Sequence, residues 1–257
     1  MTEKQKWEIA LEKFVNTWKN KKDVSGIIVA GSYITGNPTK HSDLDVPIVL
    51  KRGCKWRQRG NEIIDGILIE YFANPVEKIQ EYMENDNKKR RKIDAHMFST
   101  GKIVLDKEGE VKRLKTLAKK YLNKKFEKTP KFKNELNKYG LFDDADNLEE
   151  VYDRGNPDFE FVYYNYLNKL FDRYSEFLEY DKFSENKIFR FLTDNKDREK
   201  YLIKEYPDKV FAQMFLEAIK ERDKSKMLQI FNKLAKYIQN KMGGFKLDGW
   251  KLKSAVD

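Results

Sequence analysis

Residues 26 to 50 read GIIVAGSYITGNPTKHSDLDVPIVL, and this stretch constrains the fold more than any other. Two apolar runs, Ile27 to Ala30 and Val46 to Leu50, read as strands. Between them lie a Gly31-Ser32 turn and a short polar segment. Ser42, eleven residues after Gly31, opens the motif Ser42-Asp43-Leu44-Asp45. Alternate residues of a strand face the same way, so Asp43 and Asp45 project together with Cα atoms roughly 7 Å apart. Two carboxylates on one face repel each other unless a positive charge sits between them. A divalent cation meets that need, and carboxylate oxygens are the ligands Mg²⁺ prefers.

The turn has chemistry of its own. Gly31 lets the backbone approach a ligand closely. Ser32 offers a backbone N–H and a hydroxyl, and a helix starting there would present its donors to phosphate oxygens. A phosphate cradle beside a metal-binding acid pair outlines a phosphoryl- or nucleotidyl-transfer site.

A Gly-Ser pair, a spacer and a D-x-D at a strand start resemble the nucleotidyltransferase superfamily of DNA polymerase β. In size and layout the chain is most similar to single-chain aminoglycoside and lincosamide nucleotidyltransferases. That pattern includes a third acid on a neighbouring strand. Here NEIIDGILIEYF, residues 61 to 72, supplies Glu70 between Ile69 and Tyr71. Asp65, its rival, precedes Gly66 and reads as a hairpin turn former. The resemblance covers roughly residues 5 to 125. It implies Mg²⁺ at Asp43, Asp45 and Glu70 in a two-metal site, and ATP or another NTP held by Gly31, Ser32 and Ser42. It implies transfer of a nucleoside monophosphate, AMP from ATP, to a hydroxyl of a small molecule such as an aminoglycoside-like antibiotic. Lys187 in SENKIFRFL is a candidate phosphate-binding lysine from the second domain, or an exposed helix lysine.

The 257 residues suffice for one large or two modest domains, and 40% hydrophobic content allows a sizeable core. A formal net charge of +10 suits anionic partners, although lysines spread over solvated faces account for most of it. One basic cluster stands out, Lys88-Lys89-Arg90-Arg91-Lys92. Cys54 is the only cysteine, which excludes an intrachain disulfide and a Cys-based zinc site. The two histidines, His41 and His96, exclude a His-rich metal site. No apolar run approaches a membrane span, the first residues lack a signal-peptide pattern, and the reading is a cytoplasmic protein without membrane partners. A P-loop is absent.

Helical spacing of Trp7, Leu11, Phe14, Val15 and Trp18 predicts a helix over residues 3 to 20. Strands are expected near 26–31, 43–50, 61–65 and 67–73. A helix capped by Asn74 should follow, then strand-like residues from Met97 to Leu105, then a helix over 110–122. The product is an α/β (α+β) domain with a small mixed sheet, residues 1–126. Pro130 marks a linker, and residues 127–257 form an all-α helical-bundle domain on the acceptor side. Its aromatic residues at helical spacing read as bundle core.

In that second domain Asp143, Asp144, Asp146, Glu149, Glu150 and Asp153 make an acidic patch. Asp146 to Glu150 reads as a capped helix start. The functional alternative is a docking surface for a cationic acceptor. Two further readings stay open: transfer to tRNA, other RNA or protein, from net charge and the basic cluster, and a non-catalytic partner in a toxin–antitoxin type pair.

Overall fold

The computed structural model describes residues 5–253. The chain forms two compact units, Met1–Lys124 with Arg198–Ile203, and Lys125–Asp197 with Lys204–Asp257. The short return segment is one that a single boundary near residue 126 does not provide for.

The first unit is a five-stranded mixed sheet of β1 (Val24–Val29), β2 (Leu44–Leu50), β3 (Gln58–Ile64), β4 (Ile67–Pro75) and β5 (Lys102–Asp106), in the order β3-β4-β2-β1-β5. Only β2 and β4 run parallel; every other neighbouring pair is antiparallel. The predicted hairpin turn joins β3 to β4, with both Asp65 and Gly66 at positive φ, as a type I′ turn demands. Asp65 pairs with Lys13 at 2.8 Å.

Alternation sorts the strand residues onto two faces. On one face Leu11, Phe14 and Trp18 of α1 (Lys6–Trp18) pack on Val24, Ile27, Val46, Ile48, Tyr71 and Ala73. On the other, Ile28, Ala30 and Val49 meet α3 (Val76–Lys88), α4 (Ile93–Thr100) and α5 (Glu110–Asn123) through Ile79, Met83, Phe98 and Leu114. A four-residue helix, α2 (Ser32–Thr35), follows β1.

Three local expectations are corrected. Asn74 does not cap α3: β4 continues to Pro75, which is itself the N-cap residue. The strand expected from Met97 is helical to Thr100. Lys115 holds that end of α4, donating to the carbonyls of Phe98, Ser99 and Gly101. Cations are stabilising at a helix C-terminus. Asp146 is not a helix start either. It lies inside the 23-residue α6 (Lys131–Asp153), which begins after Pro130.

The second unit is helical: α6, α7 (Phe159–Phe177), α8 (Glu185–Thr193), α9 (Asn195–Tyr201, whose last residues group with the first unit), α10 (Lys209–Lys220) and α11 (Lys224–Lys241). The aromatic residues at helical spacing are core: Phe159, Tyr163, Phe171, Phe211, Phe215 and Phe231 are all buried. Among the described residues no helix is long and apolar enough to cross a membrane.

Candidate active site

Two backbone pairings assemble the site. Ala30, the last residue before the Gly-Ser turn, bridges Asp45, its N–H donating to the Asp45 carbonyl at 2.8 Å. On the other side of β2, the parallel register sets Glu70 beside Asp45. Carboxylate oxygens of Asp43, Asp45 and Glu70 thus lie within 4.8 Å of one another, at the half-buried end of the sheet. Three acids so close carry a strong mutual repulsion, and a divalent cation with oxygen preference fits them.

Gly31 has φ +83°, and a Cβ there would stand 2.5 Å from Asp45 Oδ2. The turn therefore requires glycine twice, for its backbone conformation and for the room given to the Asp45 carboxylate. Ser32 is the first residue of α2. Ser42 is engaged locally: its hydroxyl accepts from the Thr39 N–H at 2.8 Å and shapes the loop that delivers Asp43. His41 is exposed on that loop.

Two cations escaped the sequence reading. Arg59 on β3 donates to Glu70 Oε1 at 2.5 Å while its guanidinium lies 5.0 Å from the centre of the Phe72 ring. Period-two alternation was a signal for it. Arg59 pairs with Phe72 and Asn61 with Glu70, so Arg59 stands two residues from Glu70's partner on the same face. Lys200, in the return segment that groups with the first unit, has its Nζ 3.5 Å from the Gly36 carbonyl just after α2. Its neighbour Tyr201 donates to Asn37 Oδ1 at 3.2 Å, an oxygen that also accepts from Thr35. Local sequence around Lys200 carries no signal of that proximity.

Lys187 and the acidic patch lie in the second unit, the basic cluster in the first. Lys187 is exposed on α8. The acidic patch divides. Asp144 is buried and ion-paired to Arg173, and burial raises its pKa above the usual carboxylate range despite that partner. Asp146, Glu149, Glu150 and Asp153 are exposed and Asp143 half-buried, with Glu150 paired to Arg154. The basic cluster divides as well. Arg90 and Lys92 are buried, Lys92 donating to the Leu122 carbonyl at 2.8 Å, which leaves Lys88, Lys89 and Arg91 exposed.

Residues 11–139 match the family described as nucleotidyltransferase domain, just over half of the chain. The chain belongs to that family. The matched residues contain the Gly-Ser turn and all three carboxylates of this nucleotidyltransferase domain. Among curated proteins none matches. Among solved structures, a nucleotidyltransferase-like protein from Exiguobacterium sibiricum 255-15 is similar over 91% of this chain and 75% of that one. The identity is 10% and the TM-score 0.46, a likeness that carries no argument about function.

Proposed function

We propose that this nucleotidyltransferase is Mg²⁺-dependent and moves a nucleoside monophosphate, AMP from ATP, to a hydroxyl of a small molecule. The observation that carries the reading is the convergence of Asp43, Asp45 and Glu70 beside the Gly31-Ser32 turn. Divalent cations held by these three acids would neutralise the triphosphate and lower the pKa of the attacking hydroxyl. Gly31 and Ser32 bind phosphate oxygens, and Lys200 adds a positive charge at the other end of α2, beside Gly36. In the reaction the acceptor oxygen bonds to the α-phosphorus and the bond to the leaving pyrophosphate breaks. The hydroxyl proton passes to a carboxylate of the site or to water. The protein's contribution is positioning and charge stabilisation.

A pure binding module has no need of three converging acids, which argues against the non-catalytic reading. An RNA acceptor loses support because the basic cluster spends two of its five cations inside the fold.

The test is incubation with each α-labelled NTP and MgCl₂ against a panel of aminoglycosides, uncharged hydroxylated compounds and bulk tRNA. Asp43→Asn or Asp45→Asn should lower turnover by about 10³-fold while leaving the circular dichroism spectrum intact. Near-parental turnover in both variants would remove this site from the chemistry.

A further inference from the structure

The sheet face that carries the acids does not end with them. Strand neighbours on one face recur every second residue, about 7 Å along the strand. One step below the Asp45–Glu70–Asn61 row lies the row Pro47–Phe72–Arg59, and the next step brings Asn74. These residues floor a cavity of about 620 Å³. Its walls are Ile79 and Tyr82 of α3, Ile93, Asp94, Met97 and Phe98 of α4, and Arg57 beside β3. Ligand pockets commonly measure about 300–1,000 Å³.

Position assigns the cavity a side. The Gly-Ser turn follows β1, on one flank of β2, whereas Glu70, Phe72 and Arg59 lie on the other flank, along β4 and β3. Displacement at phosphorus is roughly in line, the nucleophile entering opposite the leaving group. With the triphosphate at Gly31 and Ser32, the nucleophile arrives from the Glu70 flank, and Phe72 and Arg59 of the next row on that flank line the cavity.

Chemistry narrows the occupant. Phe72, Tyr82, Phe98 and Met97 offer aromatic and thioether surface to a flat apolar body. Arg57 and Arg59 stand at the strand side, Arg57 donating to the Tyr82 hydroxyl at 2.7 Å. The Arg57 guanidinium favours an anionic substituent and disfavours a polycation, and Arg59 adds to it although Glu70 shares its charge. Asp94 supplies one polar group on the helix side.

The geometry points to this cavity as the acceptor site, built for a hydroxylated molecule with a flat aromatic body and a carboxylate-like anion. This deepens the proposed transfer reaction and rests on it for the word acceptor; the ligand site itself does not.

The experiment uses the full chain with MgCl₂ and ligand-observed NMR titration of three probes: 4-hydroxyphenylacetate, its uncharged analogue 4-hydroxyphenethyl alcohol, and kanamycin as polycation. The aromatic carboxylate should bind most tightly and kanamycin should not displace it. Met97→Trp, which fills the cavity, should weaken the carboxylate by about tenfold. Arg57→Glu should weaken it by about fivefold and barely alter the alcohol. ATP–Mg²⁺ affinity, measured by calorimetry, should stay unchanged in both variants. If Met97→Trp fails to fold, Ile93→Glu at the exposed rim takes its place. Carboxylate binding unaffected by these variants, or displaced by kanamycin, overturns the proposal. Loss of ATP binding in the variants overturns it too, by giving the cavity to the nucleotide. Cavity-dependent probe binding without transfer from any NTP would instead sink the proposed reaction and leave the ligand site standing.

Discussion

Two arginine–carboxylate pairs, one in each unit, have the same chemistry and opposite circumstances. Arg173 and Asp144 are 22% and 7% exposed, and Arg173 also donates to the Gly140 carbonyl at 2.9 Å. A Cβ on Gly140 would stand 2.7 Å from that guanidinium, so the helix has made room for the pair. Arg59 is 72% exposed and reaches a Glu70 that is 21% exposed. In the first pair both charges are committed to the fold. In the second, the acid belongs to a cluster and its partner sits largely in water. These two carboxylates therefore separate by partner: Asp144, with a mostly buried partner, ties α6 to α7, whereas Glu70, with an exposed one, stays with the acid cluster. Asp208 resembles Asp144 in this. It caps α10 through the Phe211 N–H and accepts from the hydroxyls of Tyr174 and Tyr237.

Breaking the buried pair gives the largest expected effect. Asp144→Ala strands a mostly buried guanidinium and should cost about 3–5 kcal/mol in urea unfolding, with ATP binding unaffected. A loss below about 1 kcal/mol would erase the distinction between the two pairs.

Asp94 sharpens the comparison as a half-buried acid with no arginine bonded to it. Desolvation first, then the nearby Asp86 carboxylate on α3, push it from 3.8 up to about 7. Arg57, Arg59 and Tyr82 line the cavity with it, and Lys115 of α5 holds the far end of α4. A raised carboxyl pKa means that the folded state holds the proton more tightly. The stability this contributes is complete below pH 3.8 and is lost as pH rises through 7. Asp94→Asn should thus stabilise the protein by up to about 4 kcal/mol at pH 8 and by little at pH 4. Equal effects at both pH values would contradict the assignment.

Gly31→Ala comes next. The added methyl meets the Asp45 carboxylate and the backbone is held at positive φ. Turnover should fall by about 100-fold and stability by about 1–2 kcal/mol. Retained turnover would show that Asp45 can move aside without loss.

The smallest effect belongs to the exposed pair. Arg59→Ala should change stability by less than about 1 kcal/mol. Mg²⁺ binding, followed by calorimetry, should tighten because the cation no longer competes for Glu70. Unchanged or weaker Mg²⁺ binding would mean that Arg59 does not compete with the ion.

Much of this arrangement was legible because strand geometry has a period of two. Asp43 and Asp45 were readable as same-face neighbours, and the Asp65-Gly66 turn fixed which runs pair as β3 and β4. That placed Glu70 on the second strand of a hairpin, and the family resemblance named it as third acid. Arg59 was readable by the same alternation but lay beyond the strand expected to begin at residue 61, since β3 starts at Gln58. The α4 helix was not legible: IDAHMFST has no helical stripe, and its helix is held by packing and by the Lys115 ammonium from α5. The cavity needed that helix and could not be seen without it. Asp146 misled because acids near a helix start and acids along an exposed helix face are the same local pattern. Lys200 required a contact 164 residues away in sequence.

Arg59 has a consequence for how such a molecule is made. Its guanidinium acts as a provisional counter-ion, tied to the acid cluster by one flexible, water-exposed arm. Loading the site with metal would then be an exchange of counter-ions, separate from folding. On the proposed reading a newly synthesised chain would complete its sheet before any metal arrives, and a chelator should stop the proposed transfer while leaving the architecture in place.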